Sequence, residues 1–364
     1  MTLEPEPTTA EPGPEPATAE PAAPATPPVS PAVRIWPRVG AVMSGSFDLL
    51  TASRVQIRNV SLYYGLLGML TTGPFVLVFI AEAHKVDWNT LEGLSGWAIL
   101  AGFIAVLGLL AIAYEGRLVA SAILGGARIG QPVSRTEAVR LARREFWHFW
   151  WPALAAAFAV GIPARLLGSF LDGVFGSATD AAPVGSNLLG ALIGVPFIYI
   201  ATGVVLGGVG GREVVRRSIR LARARYRLAV MVSVFAVLAQ YLLGFAASAG
   251  LDVAGRALEP FHRQLERIDP AALSGFIPLG AAGLVVVLAY FSLAFTIEAL
   301  ISAPQVVAFI GLTGYTRGLD GARERPLDEP RLPRPALISR PMIVGAAIAW
   351  MAAAFAVAGA LGPS

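Results

Sequence analysis

The chain has 364 residues, of which 55% are hydrophobic and only 14% are charged, and its formal net charge is +4. A soluble domain carries about a quarter charged residues, so this composition excludes an ordinary soluble protein and indicates a polytopic helical membrane protein. Cysteine is absent and the three histidines are scattered, which excludes thiol chemistry and gives no sign of a metal site or cofactor.

The N-terminal third of the chain is predicted to hold a tail, a surface helix and two spans. Residues 1–33 are rich in Pro, Glu and Ala and are predicted to be disordered, since they have little to bury. The composition changes over residues 34–58, where RVGAVMSGSFDLL has the apolar spacing of an amphipathic helix, which we place at the inner membrane interface. The first span covers 62–81, with a kink expected at Pro74. The second span begins near Trp97, and its helix could extend to residue 124.

The second span is predicted to end near Glu115, and a basic connector follows it. The basic residues of this connector are Arg117, Arg128, Arg135, Arg140, Arg143 and Arg144. Within it, Ser134-Arg-Thr-Glu137 is a capping-box pattern, so a new helix is predicted to start there. That helix leads through FWHFWW into span three, at 150–171, and tryptophans at this position are typical of an interfacial belt.

The remaining chain predicts four more spans and a linker. The spans cover residues 187–207, 228–251, 276–309 and 342–361, and a Pro/Arg-rich linker covers 313–341. The 276–309 stretch is longer than one crossing needs, so we expect it to protrude or to bend at Pro304. Small residues are expected to allow close helix packing at Gly65, Gly68, Gly203 and Gly207.

Basic residues predict the orientation. If the N-terminus is inside, 23 of the 28 lysine and arginine residues lie before span one or in the inner loops. The five exceptions are Lys85, Arg165, Arg256, Arg263 and Arg267. The positive-inside rule then predicts seven spans in a plasma membrane, with the N-terminus cytoplasmic and the C-terminus outside. The arginines cluster beside apolar runs, which topology explains better than a nucleic-acid partner.

Two basic segments resemble each other. Val139-Arg-Leu-Ala-Arg143 aligns with Ile219-Arg-Leu-Ala-Arg223 at an offset of 80 residues, and each lies between an inward and an outward span. The sequence therefore predicts a membrane domain over 34–312 with two related span–basic helix–span units in the same sense, followed by a C-terminal span within 342–364.

The segments EGRLVASAILGGARIGQPVSRTEAVRLARREFWHFWWPAL and PFIYIATGVVLGGVGGREVVRRSIRLARARYRLAVMV carry a family resemblance. They resemble the membrane domain found beside glycerophosphoryl diester phosphodiesterases, with Gly130 to Ala138 and Val214 to Ser218 at the family's two helix starts. The resemblance covers about 38–325 and implies a helical membrane domain, whose stand-alone members have no known activity. The family's soluble catalytic barrel has no counterpart here, so the resemblance implies no catalytic residues.

The arginine-rich stretch Gly210–Arg227 is the most distinctive feature of the sequence. Five of its arginines share one helix face, and with three from the first connector they are candidate contacts for anionic lipid headgroups or a partner protein. These eight residues are Arg212, Arg216, Arg220, Arg223, Arg227, Arg140, Arg143 and Arg144. The alternative is that they act only as an orientation signal.

Four further polar residues lie in or beside the spans. Glu115 and Glu298 are near the inner ends of spans two and six, and we expect them to pair with arginines of the connectors; snorkelling to the interface is the alternative. Arg165 and Gln240 are the deepest polar residues of spans three and five. In a transporter, both residues would line the substrate path. Otherwise Arg165 would reach the outer membrane interface and Gln240 would form a contact between helices.

These observations predict an all-α, polytopic transmembrane bundle of about seven spans with amphipathic basic helices on the cytoplasmic face. The leading functional interpretation is a non-enzymatic accessory or scaffold protein whose partners are anionic lipids or another membrane protein. The alternative is a small-molecule or lipid transporter, and a membrane enzyme is left open. A water-filled cavity that reaches Arg165 or Gln240 at mid-depth would favour transport. A tightly packed bundle with the arginine helices flat on the inner face would favour the scaffold.

Overall fold

The computed structural model describes residues 38–83, 95–175, 181–265, 273–314, 319, 338 and 340–361. Side chains are described over 38–79, 95–170, 187–250, 284–314 and 340–355, and at a few single positions besides. All regular structure in these ranges is helical: α1 Val39–Ala52, α2 Arg54–Thr71, α3 Gly73–Ala83, α4 Gly96–Arg128, α5 Arg135–Phe175, α6 Ala181–Gly194, α7 Ile200–Val205, α8 Gly211–Ala224, α9 Tyr226–Leu265, α10 Leu273–Thr313 and α11 Arg340–Leu361. The predicted tail, the loop after span one and most of the predicted 313–341 linker lie outside the described residues.

Helix α10 lies in the interior of the bundle, where it contacts α1, α2, α4, α7 and α9. Every residue from Ile301 to Phe309 is buried. The sequence predicted that this stretch either protrudes or bends at Pro304. The structure has no helix break there, because α10 is a single helix of 41 residues that continues through Pro304. At ~60 Å it is longer than one membrane crossing needs.

Helix α1 covers the segment predicted as an interfacial helix, and it buries one of its faces. Its buried side chains, Val42, Ser46 and Leu49, recur at the spacing of one helix face. This face packs against α10, where a Cβ added to Gly45 would meet Val307 at 3.7 Å. The first helix is therefore attached to the bundle through its apolar side.

The first predicted span is a pair of helices joined at a sharp bend. The axes of α2 and α3 differ by 52°. Pro74 explains the bend, because its ring lacks an N–H and clashes with the carbonyl oxygen four residues earlier. The carbonyl oxygen of Met69, in the last turn of α2, accepts a hydrogen bond from Trp350 Nε1 of α11 at 3.1 Å. The predicted kink at Pro74 is confirmed.

The predicted capping box at the start of α5 is confirmed. The hydroxyl of Ser134 accepts a hydrogen bond from the Glu137 amide at 3.3 Å, and the Glu137 carboxylate accepts one from the Ser134 amide at 3.0 Å. These bonds satisfy two N–H groups at the helix start. From there α5 continues to Phe175 through Pro152 and Pro163, so the connector helix and span three are one helix.

The fourth predicted span is broken, which the sequence analysis did not anticipate. Helix α6 ends at Gly194, a 3-10 turn covers Val195–Phe197, and α7 follows after two further residues. Pro196 lies in the turn and has no N–H to donate, so one backbone hydrogen bond of a regular α-helix is absent there.

Ser218 of α8 satisfies the backbone at this break. Its hydroxyl donates to the carbonyl oxygen of Pro196 at 2.7 Å and accepts from the N–H of Tyr199 at 3.1 Å. Buried backbone groups need such partners, and Ser218 is itself only 1% exposed. The surface helix α8 is thus bonded to the broken span.

Ser218→Ala is expected to lower the free energy of unfolding by about 1–3 kcal/mol, because a buried carbonyl oxygen and a buried N–H lose their partner. Thermal unfolding of the purified protein measures this loss. Ser248→Ala is the matched control, since the Ser248 hydroxyl is exposed and bonds within its own helix, to the carbonyl oxygen of Phe245. Equal melting temperatures for the two variants would contradict the role given to Ser218.

Five helical segments of the described chain are long and apolar enough to cross a membrane. They are Gly96–Arg128, Arg135–Phe170, Asn187–Val205, Tyr226–Gly250 and Leu284–Thr313, and α2 with α3 makes a sixth if the bent pair is one span. Helix α11 is 22 residues long, and its part with described side chains, Arg340–Phe355, is a shorter apolar helix. The count of seven spans therefore stays a prediction.

Candidate functional site

A cavity of about 530 Å³ lies between α4, α5, α6, α9 and α10. Its wall includes Arg165 and Gln240, the two polar residues that the sequence places deepest in spans three and five. Five other polar side chains also line it, namely Tyr114, Arg117, Asn187, Ser233 and Gln305. The structure thus brings the two predicted residues together at one site.

Helix α5 forms the long wall of the cavity. Its lining residues extend from Phe149 to Arg165 and recur every three or four positions, as one face of a helix requires. Sixteen residues of helix correspond to ~24 Å, which is most of the ~30 Å hydrocarbon core of a bilayer. The lining residues between the two ends are alanine, valine and glycine, so space along this wall comes from small side chains.

Helices α6 and α9 close the opposite side and are bonded to each other. Ser233 Oγ donates to the carbonyl oxygen of Ala191 at 2.7 Å. Asn187 Nδ2 donates to the Tyr241 hydroxyl at 2.8 Å. A Cβ added to Gly190 would meet Ala164 Cβ at 3.6 Å, which shows that α6 runs closely along α5 at this end.

The end of the cavity near Arg165 and Gln240 is the more open one. Both side chains are exposed, and so is that of Asn187. Among the described residues no carboxylate forms an ion pair with Arg165; its predicted neighbour Asp172 lies outside the described side chains. A cationic group without a described counter-charge therefore stands at this end.

An ion pair lies at the other end. Arg117 of α4 donates to both carboxylate oxygens of Glu298 on α10, at 2.8 and 3.3 Å, and the two side chains are 27% and 16% exposed. Bidentate arginine–carboxylate geometry is among the stronger pairings available to these groups. Nearby, Gln305 is 3% exposed and its Oε1 has no hydrogen-bond partner in the described part of the chain.

Glu115 forms the second ion pair between helices. Its carboxylate accepts a hydrogen bond from Arg143 Nε at 3.1 Å, and Arg143 also donates to the Tyr63 hydroxyl at 2.9 Å. The predicted pairing of Glu115 with a connector arginine is therefore present. Glu298 differs in detail: its partner is Arg117, which the sequence analysis counted in the connector but which lies within α4.

The predicted arginine stripe is an exposed face interrupted by one break. Arg212, Arg216, Arg220 and Arg223 are exposed on α8, and Arg227 is exposed on α9. The chain leaves helical geometry at Arg225, with φ −140° and ψ 60°. Arg220 bonds to Glu213 of the same helix at 2.8 Å. No ion pair to the other four members of the stripe is present among the described residues.

The other connector arginines are placed differently. Arg144 is exposed and bonds to the adjacent Glu145 at 3.0 Å. Arg140 is half-buried, and its Nη2 atom has no hydrogen-bond partner among the described residues. The eight arginines predicted as headgroup contacts therefore do not form one surface. Arg143 forms an ion pair with Glu115, whereas the arginines of α8 face outward.

The internal repeat has a partial structural counterpart. Val139–Arg143 lies on α5 and Ile219–Arg223 on α8, and Ala142 and Ala222 are buried at the same place in each. The final arginine of the first unit binds Glu115, while that of the second contacts no carboxylate in the described chain. The first unit also continues into a span without a break, which the second does not.

No protein-family model, curated protein or solved structure matches the chain. The resemblance to the membrane domain beside glycerophosphodiesterases therefore stays a prediction. Within the described residues there is also no group of three or more His, Cys, Asp or Glu side chains placed to hold a metal ion.

The sequence analysis missed the five other polar side chains that line the site, among them Gln305 and Arg117. Gln305 follows Pro304 in an apolar stretch, and a polar residue there was a usable signal. Arg117 was assigned to the connector because span two was expected to end near Glu115, whereas α4 continues to Arg128.

Proposed function

We propose that the chain is a multi-pass membrane transporter whose substrate passes through the cavity between α4, α5, α6, α9 and α10. The observation that carries the proposal is that Arg165 and Gln240 both line this cavity. Transport and an accessory role are the two main interpretations of the sequence, and a cavity that reaches these residues favours transport.

The free-energy cost of placing polar side chains within the membrane supports the proposal. An arginine near the centre of a transmembrane helix costs about 2.5–3.5 kcal/mol on insertion scales, and such residues mark substrate pathways more often than lipid-facing surfaces. The cavity volume, about 530 Å³, lies within the ~300–1,000 Å³ of small-molecule sites. An accessory bundle has no need of such a space.

The broken span supports the same conclusion. Irregular backbone at membrane depth is tolerated only where it is buried in protein or lines a cavity, and transporters use discontinuous helices beside their binding sites. Here the break between α6 and α7 contributes Phe197 and Ile198 to the cavity wall. The interruption is thus located where a transporter would place it.

The proposed setting is a plasma membrane crossed seven times, with the N-terminus cytoplasmic and the C-terminus outside. The five candidate spans, the bent pair α2–α3 and the 22-residue α11 would supply the crossings. The clustering of arginines on α8 and at the start of α5 supports this orientation, because basic residues are retained on the cytoplasmic side.

Single-cysteine labelling tests the proposal directly, because the natural chain contains no cysteine. Gln240→Cys and Gln305→Cys are expected to react with a membrane-impermeant maleimide in sealed vesicles, since a transport pathway carries water to both positions. Labelling right-side-out and inside-out vesicles is expected to show Gln305→Cys reacting from both sides.

Leu238→Cys is the matched control. Leu238 lies two residues from Gln240 on α9, is 59% exposed and is not part of the cavity wall, so in lipid its thiol is expected to stay unreactive. A bundle that leaves Gln240→Cys and Gln305→Cys as unreactive as Leu238→Cys would rule out transport through this cavity.

An accessory role that binds anionic headgroups is the second candidate, and the exposed arginine face of α8 favours it. Helix α8 packs inward through Val214, Ser218 and Ala222, which directs its arginines away from the bundle. Each arginine near an anionic membrane surface contributes about 1 kcal/mol.

Replacing Arg212, Arg216 and Arg223 together with glutamine is expected to weaken phosphatidylglycerol binding more than about tenfold, because about 3 kcal/mol of attraction is lost. Titration followed by native mass spectrometry in a neutral detergent measures the affinity. The matched triple lysine variant keeps the charges and is expected to retain binding. If the glutamine variant binds as well as the lysine variant, α8 is not a headgroup site.

A further inference from the structure

The charged side chains that line the cavity, among the described residues, are all positive. Of the described residues that line it, two are arginines and none is a carboxylate. Arg117 is neutralised by Glu298 just outside the lining. Arg165 has no such partner among the described residues, so the net charge presented to a ligand is positive and is concentrated at the more open end.

The wall that α5 gives the cavity is apolar between its two ends. Between Arg165 and Phe149, the lining positions of α5 are occupied by alanine, valine and glycine. Ala236 and Val237 of α9 face the same space, as does Ile301 of α10. A flexible hydrocarbon chain fits such a wall, because burying each CH₂ group contributes about 0.8 kcal/mol.

The two ends of the cavity offer different polar chemistry. At the open end, Arg165 presents a cationic fork of N–H donors, which matches a carboxylate or a phosphate. At the far end, Gln305 Oε1 is a buried acceptor without a partner. A ligand with its anionic group beside Arg165 and its chain directed towards Gln305 satisfies the charge and fills the apolar middle.

We propose that the cavity binds a single-chain amphiphile with one anionic head group, a carboxylate or a phosphate, which Arg165 holds while the chain lies along α5. This names the substrate class of the transport pathway and so rests on the proposed function. A positively charged or uncharged amphiphile of equal chain length is the disfavoured ligand.

Competition binding with full-length protein in zwitterionic nanodiscs tests the proposal. The probe is 11-(dansylamino)undecanoate, whose fluorescence reports transfer into an apolar site, with empty nanodiscs as the blank. Laurate and dodecyl phosphate are expected to displace it, and comparing the two separates a carboxylate ligand from a phosphate ligand. Dodecanol and dodecyltrimethylammonium are expected to be at least about tenfold weaker, since they lack the anionic group.

Substitutions at Arg165 locate the head group. Arg165→Gln is expected to weaken laurate at least about tenfold and leave dodecanol unchanged, whereas Arg165→Lys is expected to retain most of the preference for the anion. Arg256→Gln is the matched control, because Arg256 is an exposed arginine of α9 outside the cavity wall. Equal displacement by dodecanol and laurate, or unaltered laurate affinity in Arg165→Gln, would overturn the proposal.

The two proposals fail in different ways. If laurate binds with the expected charge preference but does not cross proteoliposome membranes faster than in protein-free vesicles, the ligand assignment stands and transport is refuted. If Gln305→Cys is labelled from both sides while none of the anionic amphiphiles displaces the probe, the pathway stands and the ligand assignment is refuted.

Discussion

Glu298→Arg is expected to lower the free energy of unfolding by more than the about 0–1 kcal/mol of an exposed ion pair and by up to the about 3–5 kcal/mol of a fully buried one, because the pair with Arg117 is part-buried. The substitution removes two hydrogen bonds to Arg117 and places two guanidinium groups against each other where α10 packs on α4. Because α10 contacts five other helices of the bundle, assembly is expected to suffer as well. Denaturant unfolding and the monodisperse fraction on gel filtration measure the two effects.

Glu213→Arg is the matched control for this substitution. Glu213 also pairs with an arginine at 2.8 Å, but that pair is exposed on a single helix, and exposed pairs contribute only about 0–1 kcal/mol. The charge-swapped double variant Arg117→Glu with Glu298→Arg is expected to recover part of the loss. Equal stability of Glu298→Arg and Glu213→Arg would show that the pair does not hold α4 to α10.

Gly65→Ala is expected to cost about 1–3 kcal/mol of stability, the range for overpacking a close helix contact. A Cβ at this position would lie 2.8 Å from the Leu288 carbonyl oxygen of α10. A backbone oxygen cannot move aside as a side chain can, so α2 and α10 would have to separate. Thermal unfolding in detergent measures the loss.

Gly45→Ala provides the comparison, since Gly45 is also a helical glycine that faces α10. Its added Cβ would meet only Val307, at an ordinary 3.7 Å, and alanine is the better helix former by about 1 kcal/mol. The Gly45 variant is therefore expected to be neutral or slightly more stable. Were Gly65→Ala equally stable, the close approach of α2 to α10 would be refuted.

Features that depend on neighbouring residues could be predicted from the sequence. The capping box at Ser134 and Glu137 involves residues three apart, and the kink at Pro74 follows from one ring, so both were predictable. The close packing at Gly65 and Gly68 was expected from side-chain size alone. Helix type and apolar length likewise follow from composition.

Features that depend on distant parts of the chain could not be predicted in the same way. The Arg117–Glu298 pair joins residues 181 positions apart, and no local pattern selects that partner among the other arginines. Arg165 and Gln240 were recognisable as deep polar residues, but only tertiary packing brings them to one cavity. The predicted arginine stripe assumed an unbroken helix, and the turn at Arg225 depends on how α9 packs.

The bonds of Ser218 have a consequence for how the two candidate sites communicate. This residue holds both ends of the turn whose middle residues, Phe197 and Ile198, form part of the cavity wall. A displacement of α8 must therefore either break these two hydrogen bonds or carry the wall with it. The position of α8 and the position of the cavity wall at Phe197 and Ile198 thus depend on the same serine side chain.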